Sequence, residues 1–250
     1  MKFLKFLLLF LLCGLAAAEI TDPNVDRSMS GWSQCYYPAC NPGGLNPPAS
    51  VEQKVITGGQ LSLENTAMLL SQTSPAGGNS NVLFTFKASP CDACTSVVAD
   101  FWVYPTTGIA ELEYDSFQFS ESQSIEYMWG TQCVTGSVWD VWNQSTGHWI
   151  PTNLPCNVIF NTWNHIVIRT HRVNGDPGTC AGFPCMYWDS ISVNGQTEVP
   201  KPNVEPSGPL PTGWSSTTGF QIQLDVATPD TTVSEYLSVA NFTAAIAKGT

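Results

Sequence analysis

The chain has 250 residues, with 20 acidic side chains against 9 basic ones and a formal net charge of −11. That balance argues against nucleic acid and anionic membrane as partners, since both require positive patches. It tolerates neutral sugars and divalent cations. A content of 20 Gly and 18 Pro with few lysines fits a strand-and-loop protein poor in surface helices.

Met1–Ala18 has the three parts of a secretory leader: Lys2 and Lys5, the apolar run Phe6–Leu12, and the small residues Ala16-Ala17-Ala18. Glu19 is expected to begin the mature chain, and residues 19–250 to form one domain. The apolar run is shorter than the roughly 20 residues that span a bilayer. No later segment is apolar enough for membrane insertion. Loss of the two leader lysines takes the net charge from −11 to −13. The expected location is secreted, extracellular or periplasmic.

Cys13 leaves with the leader, and eight of the nine cysteines remain. An even number in an exported chain implies disulfides. Proximity along the sequence suggests four local loops: Cys35–Cys40, Cys91–Cys94, Cys133–Cys156 and Cys180–Cys185. The rival reading of Cys91-Asp92-Ala93-Cys94 is zinc or redox chemistry, which an oxidising compartment disfavours.

Thr21–Ser50 reads as an irregular opening segment. Ser62–Leu70 is the best helix candidate and equally a strand. Strand signals follow at Asn81–Lys87, Ser96–Tyr104, Ala110–Phe119, Ser137–Trp142, His165–Val173, Tyr187–Val193, Gly219–Val226 and Tyr236–Phe242. All are rich in β-branched or aromatic residues and bounded by Gly, Pro or Asn. Asn194-Gly195 signals a tight type I′ hairpin. Asn174–Gly178 reads as a turn, and Pro200–Gly213 as a long surface connection. The sum is an all-β antiparallel sandwich or barrel stapled by disulfides.

Glu111, Glu113 and Asp115 stand two apart, so a strand places them on one face, with Leu112 and Tyr114 on the other. A sheet accepts such mutually repelling acids where the face is wet, binds a cation or performs chemistry. Close carboxyls also push their protonation apart. The pattern Glu113-x-Asp115-x-x-Gln118 resembles the Glu-x-Asp-x-x-Glu strand of laminarinase- and lichenase-type β-glucanases. A longer set, from Leu112-Glu113-Tyr114-Asp115 through Trp129-Gly130-Thr131-Gln132-Cys133 to Phe220-Gln221-Ile222-Gln223-Leu224-Asp225, resembles exported bacterial proteins of the concanavalin A-like lectin/glucanase superfamily. The resemblance implies an antiparallel two-sheet β-sandwich of jelly-roll type, with Glu113 matching the nucleophile and Asp115 its supporting acid. Gln118 falls where the acid/base belongs, and an amide does not exchange protons at neutral pH.

The sequence therefore suggests a lectin-like protein that holds a poly- or oligosaccharide on a concave sheet. Glu113, Asp115, Gln118 and Gln132 are expected to bond hydroxyls there, with Trp129 and Trp142 stacking on sugar rings. The alternatives are a glycoside hydrolase or lyase with Glu113 and Asp115 as catalytic candidates, and a cell-surface structural or adhesion protein. Trp139 and Trp142 are three apart, so one is expected in the core and the other in the groove. His148, His165 and His171 show no zinc spacing. No cofactor is implied, apart from structural calcium compatible with the acidic face. Asn143-Gln144-Ser145 and Asn241-Phe242-Thr243 fit the glycosylation acceptor pattern.

Overall fold

The computed structural model describes residues 29, 31–36, 46–77, 80–106, 109, 111–134, 136–173, 180, 182–226 and 231–247. The leader, Cys40 and the turn at 174–178 lie outside the described residues. Sixteen strands account for the regular structure among the described residues. They are β1 (Trp32–Tyr36), β2 (Ser50–Thr57), β3 (Thr66–Ser74), β4 (Ser80–Ala88), β5 (Ser96–Pro105), β6 (Glu111–Ser120), β7 (Ile125–Val134) and β8 (Val138–Asn143), then β9 (His148–Pro155), β10 (Asn164–Arg172), β11 (Cys185–Val193), β12 (Gln196–Glu198), β13 (Val204–Pro206), β14 (Gly208–Pro209), β15 (Thr217–Val226) and β16 (Val233–Ala247). No helix occurs among the described residues.

The strands form two antiparallel sheets. Sheet A has the order β1-β4-β15-β6-β7-β8-β9, with β14 also on β7. Sheet B has the order β12-β11-β10-β5-β16-β3-β2, with β13 also on β11. Neighbours far apart in sequence, such as β4 and β15 or β5 and β16, give the jelly-roll crossovers. The sequence favoured this arrangement because hydrophobic alternation in β5, β6, β15 and β16 offers one apolar face per strand. Those faces meet between the sheets: Phe101 on β5 packs 5.0 Å from Tyr114 on β6 and 5.3 Å from Phe220 on β15. Leu112, Trp139, Ile222, Leu224 and Phe242 fill the same core with almost no accessible surface. A smaller core at one end joins Trp129, Val141, Met186 and Trp188. Burying one such large side chain contributes about 1.5–3 kcal/mol.

Ser62–Leu70 resolves in favour of the strand, since β3 begins at Thr66. The expected hairpin is present, with Asn194 at φ 51° and Gly195 at φ 81°, the left-handed pair that a I′ turn demands. Trp32–Tyr36 adds an edge strand inside the segment read as irregular.

Pro200–Gly213 is not a loose surface connection. Glu205 and Ser207 are buried. The segment supplies β13 to the edge of sheet B and β14 to β7 of sheet A. Trp188 N–H donates to Asn203 O at 2.9 Å, Ser207 N–H to Pro184 O at 2.9 Å, and Leu210 N–H to Ser124 O at 3.0 Å. This strap ties the two sheets together at one end.

Three disulfides form as expected, Cys91–Cys94, Cys133–Cys156 and Cys180–Cys185, with Cα separations of 5.3, 5.2 and 5.3 Å. Cys35 is also disulfide-bonded. No helix among the described residues is long and apolar enough to cross a membrane.

Candidate functional site

The even-numbered residues of β6 face sheet B, so Glu111, Glu113 and Asp115 point to the outer face of sheet A. Strand β6 pairs in unbroken register with β7 and β15. Glu113 lies between Gln132 and Gln223, and Asp115 between Gly130 and Gln221. A cavity of about 350 Å³ opens over these residues, walled by Trp142, Trp149 and Met128. A second cavity of about 560 Å³ adjoins it over Phe117, Phe119 and Trp214. The two share Leu83, Met128 and Gln221, and so form one groove across the sheet. Trp214 packs 4.9 Å from Phe119 and keeps 48 % of its surface exposed.

The carboxyls are deeply set, with Glu113 9 % and Asp115 3 % exposed. Glutamines from β15 hold them: Gln221 Nε2 donates to Asp115 Oδ2 at 2.7 Å. Gln223 Nε2 donates to Glu113 Oε2 and Asp225 Oδ2, both at 2.8 Å. Burial raises the Glu113 carboxyl well above the usual range, and the charges of Asp115, Asp225 and Glu111 add to the effect. Burial pushes Asp115 up to about 7, while the Gln221 bond acts the other way. Asp225 is raised to about 6 and Glu111 is raised as well, both chiefly by burial. The two carboxyls are in contact, so each acts on the other's ionisation. No amide, hydroxyl or indole N–H reaches the buried Oδ1 of Asp115.

Trp142 and Trp149 meet edge to face, with ring centroids 5.2 Å apart. Gly130 makes their position possible. A Cβ built there would lie 2.8 Å from Trp142 Cβ, 3.1 Å from Asp115 Oδ1 and 3.4 Å from Trp149. Trp142 Nε1 donates to Gln144 Oε1 at 2.7 Å, and Gln144 Nε2 donates to Glu126 at 3.1 Å, which fixes the indole plane.

Of the expected site residues, Glu113, Asp115 and Trp142 line the cavity together. Gln132 shares their face, but its amide donates to Asp140 Oδ2 at 3.0 Å and it does not wall the cavity. Two expectations are corrected. Gln118 is three residues from Asp115 in a strand without a bulge, so it points between the sheets, where it accepts from Arg172 Nε at 3.0 Å. Trp129, 1 % exposed, lies on the inner face of β7 in the smaller core. Trp139 is core and Trp142 is groove, as their spacing requires. Sequence reasoning passed over Trp149, Gln221, Gln223 and Trp214. The alternation Gln221-x-Gln223-x-Asp225 was the available signal for the second and third. The acceptor-pattern residue Asn143 spends its side chain internally: Nδ2 donates to Glu205, and Oδ1 receives Ser145 N–H and Thr146 N–H, each at 3.0 Å. His165 Nε2 lies 2.7 Å from Asp100 Oδ1, away from the groove. No group of three or more metal-ligating side chains converges among the described residues.

The architecture is that of the concanavalin A-like jelly rolls. No family model matches the chain, and no curated protein matches it in sequence. Among solved structures, the conserved carbohydrate esterase of the Shiga toxin-encoding bacteriophage phi24B superposes with a TM-score of 0.50 at 12% identity, covering 89% of this chain and 92% of that one. Alginate lyase vAL-1 from Chlorella virus gives 0.47 at 13% identity, covering 78% and 90%. The family 11 carbohydrate-binding module from Clostridium thermocellum gives 0.35 at 12% identity, covering 90% and 94%.

Proposed function

We propose that the chain is an exported carbohydrate-binding protein whose poly- or oligosaccharide ligand lies in the groove on the outer face of sheet A. Trp142 and Trp149 would stack against one sugar, and the half-exposed Trp214 against another farther along. Glu113, Asp115 and their glutamines would bond hydroxyls between them. The disulfides support export, because such bonds persist in oxidising compartments.

The observation that carries binding over hydrolysis is the placement of the two carboxyls. Glu113 and Asp115 are the only acids walling the inner cavity among the described residues, and they sit side by side on one strand, in contact. A retaining glycosidase needs carboxyls about 5–5.5 Å apart on either side of the scissile bond, and an inverting one needs a wider gap. The position that would supply the acid in β-glucanases faces the other way.

A polysaccharide panel tested by affinity electrophoresis checks the reading. Retardation by at least one glycan, lost in Trp142→Ala, is expected. Retardation by none would overturn it. Release of reducing or unsaturated ends, abolished by Glu113→Gln, would establish an enzyme instead.

A further inference from the structure

The groove has a charge pattern that narrows its ligand. The inner cavity is walled by two carboxyls and by no Lys, Arg or His among the described residues. Every other titratable group that acts on the pair is acidic: Glu111 on the same strand and Asp225 on β15, with Asp140 on β8 acting on Glu111. From β7 and β4 the cavity meets only the neutral Met128, Asn81 and Leu83. The cation of the groove, Lys87, lies in the outer cavity.

An anionic sugar is excluded from such a place, because its carboxylate would meet only acidic groups and no base in a partly desolvated pocket. A hydroxyl offers one donor and no charge to a wall whose ionisable groups are all acidic. Asp115 belongs to the cavity wall although it is only 3 % exposed; its Oδ2 accepts from Gln221, and no protein amide, hydroxyl or ring N–H reaches its Oδ1. An ammonium brings three donors and a positive charge. The two indoles beside it add a surface that attracts cations.

We propose that the sugar bound in the inner cavity carries a free amine, so that the ligand is a glycan of deacetylated amino sugars rather than a neutral glucan or a polyuronate. The inference rests on the glycan-binding reading above and names the ligand class for that same groove.

Three β-1,4-linked hexaoses that differ only at C2 test this: glucosamine hexaose (amine), cellohexaose (hydroxyl) and N-acetylglucosamine hexaose (acetamide). Titration calorimetry reads the affinity for each. The amine is expected to bind at least about tenfold tighter than the other two, the scale of one charge-assisted contact. The advantage should fall below about threefold in Glu113→Gln/Asp115→Asn, or in Asp115→Asn alone should the double variant not fold. It should survive Glu52→Gln/Glu198→Gln, which removes two exposed acids elsewhere. Equal or tighter binding of cellohexaose or the acetylated chain would overturn the proposal and leave the glycan reading standing. So would an amine advantage that persists in Asp115→Asn but disappears in the Glu52/Glu198 variant, since that is attraction to overall charge. Binding of some other glycan in the panel with none of these three would overturn it in the same way. Failure of every glycan would remove both readings.

Discussion

Glu235 offers a quantitative check on the interior of the sandwich. It has no accessible surface, and its Oε2 receives one long hydrogen bond from Gln72 Nε2 at 3.4 Å while Oε1 receives none. Burial raises its carboxyl to about 8; the Gln72 bond lowers it slightly, and Asp225 raises it. The unfolded chain ionises this group near its ordinary value of 4.5, whereas the folded chain keeps it neutral until about 8. Its contribution to stability is therefore complete below about pH 4.5 and declines as pH rises to about 8. The slope is about 1.4 kcal/mol per pH unit, or about 3 kcal/mol between pH 4.5 and pH 7. Glu235→Gln keeps the shape and an acceptor but removes the titration. The variant should match the parent near pH 4 and exceed it at pH 7 by about 3 kcal/mol, roughly 6–12 °C in Tm for a domain of this size. Urea unfolding of both proteins at half-unit pH steps measures the difference directly. Parallel stability curves from pH 4 to pH 8 would mean that water reaches the carboxyl, and the reasoning would fail.

Other expectations follow from single contacts. Gly130→Ala places a methyl 2.8 Å from Trp142 Cβ at a position where φ is not positive, so backbone strain plays no part. The variant should lose about 1–3 kcal/mol in urea unfolding and most of its glycan affinity, as Trp142 is driven from the groove wall. Arg172→Met strips Gln118 Oε1 and Asp92 O of their donors and removes a cation 4.4 Å from the centre of the Tyr127 ring. Since Arg172 is 3 % exposed, a loss of about 2–4 kcal/mol is expected in chemical denaturation. Cys133→Ser/Cys156→Ser opens a loop with a sequence separation of 23 and should cost about 3 kcal/mol, read as a lower Tm under oxidising conditions.

Much of this fold was visible before any coordinates. Strands β4, β5, β10, β11, β15 and β16 announced themselves because each alternates or is rich in β-branched residues between turn formers. β7 did not. Its residues Glu126 through Cys133 are buried on both faces apart from Met128, so no polar–apolar rhythm marks it. β3 is ambiguous for the same reason. In the site, the face of Glu113 and Asp115 followed from period-two spacing alone. The same rule places Gln118 and Trp129 on the opposite face, each an odd number of residues from a groove position. The resemblance to the β-glucanase strand drew Gln118 toward the groove, and plain alternation prevailed because the register of β6 is unbroken. Trp149 was beyond reach, since its place depends on the register of the β8–β9 hairpin, which sets it opposite Trp142, and on the missing side chain at Gly130.

The strap Val204–Pro209 has a consequence for solubility. A sandwich of two open sheets exposes lateral backbone groups that can recruit a foreign strand. Here Gly208 and Pro209 pair with Ile125 and Glu126 at the start of β7, which β8 does not reach, and Val204–Pro206 with Cys185–Tyr187 of β11, beyond β12. Proline at 206 and 209 then limits how many amide donors the covering segment itself can offer to an intruder. One short stretch so caps two vulnerable flanks at once, a safeguard against self-templated aggregation.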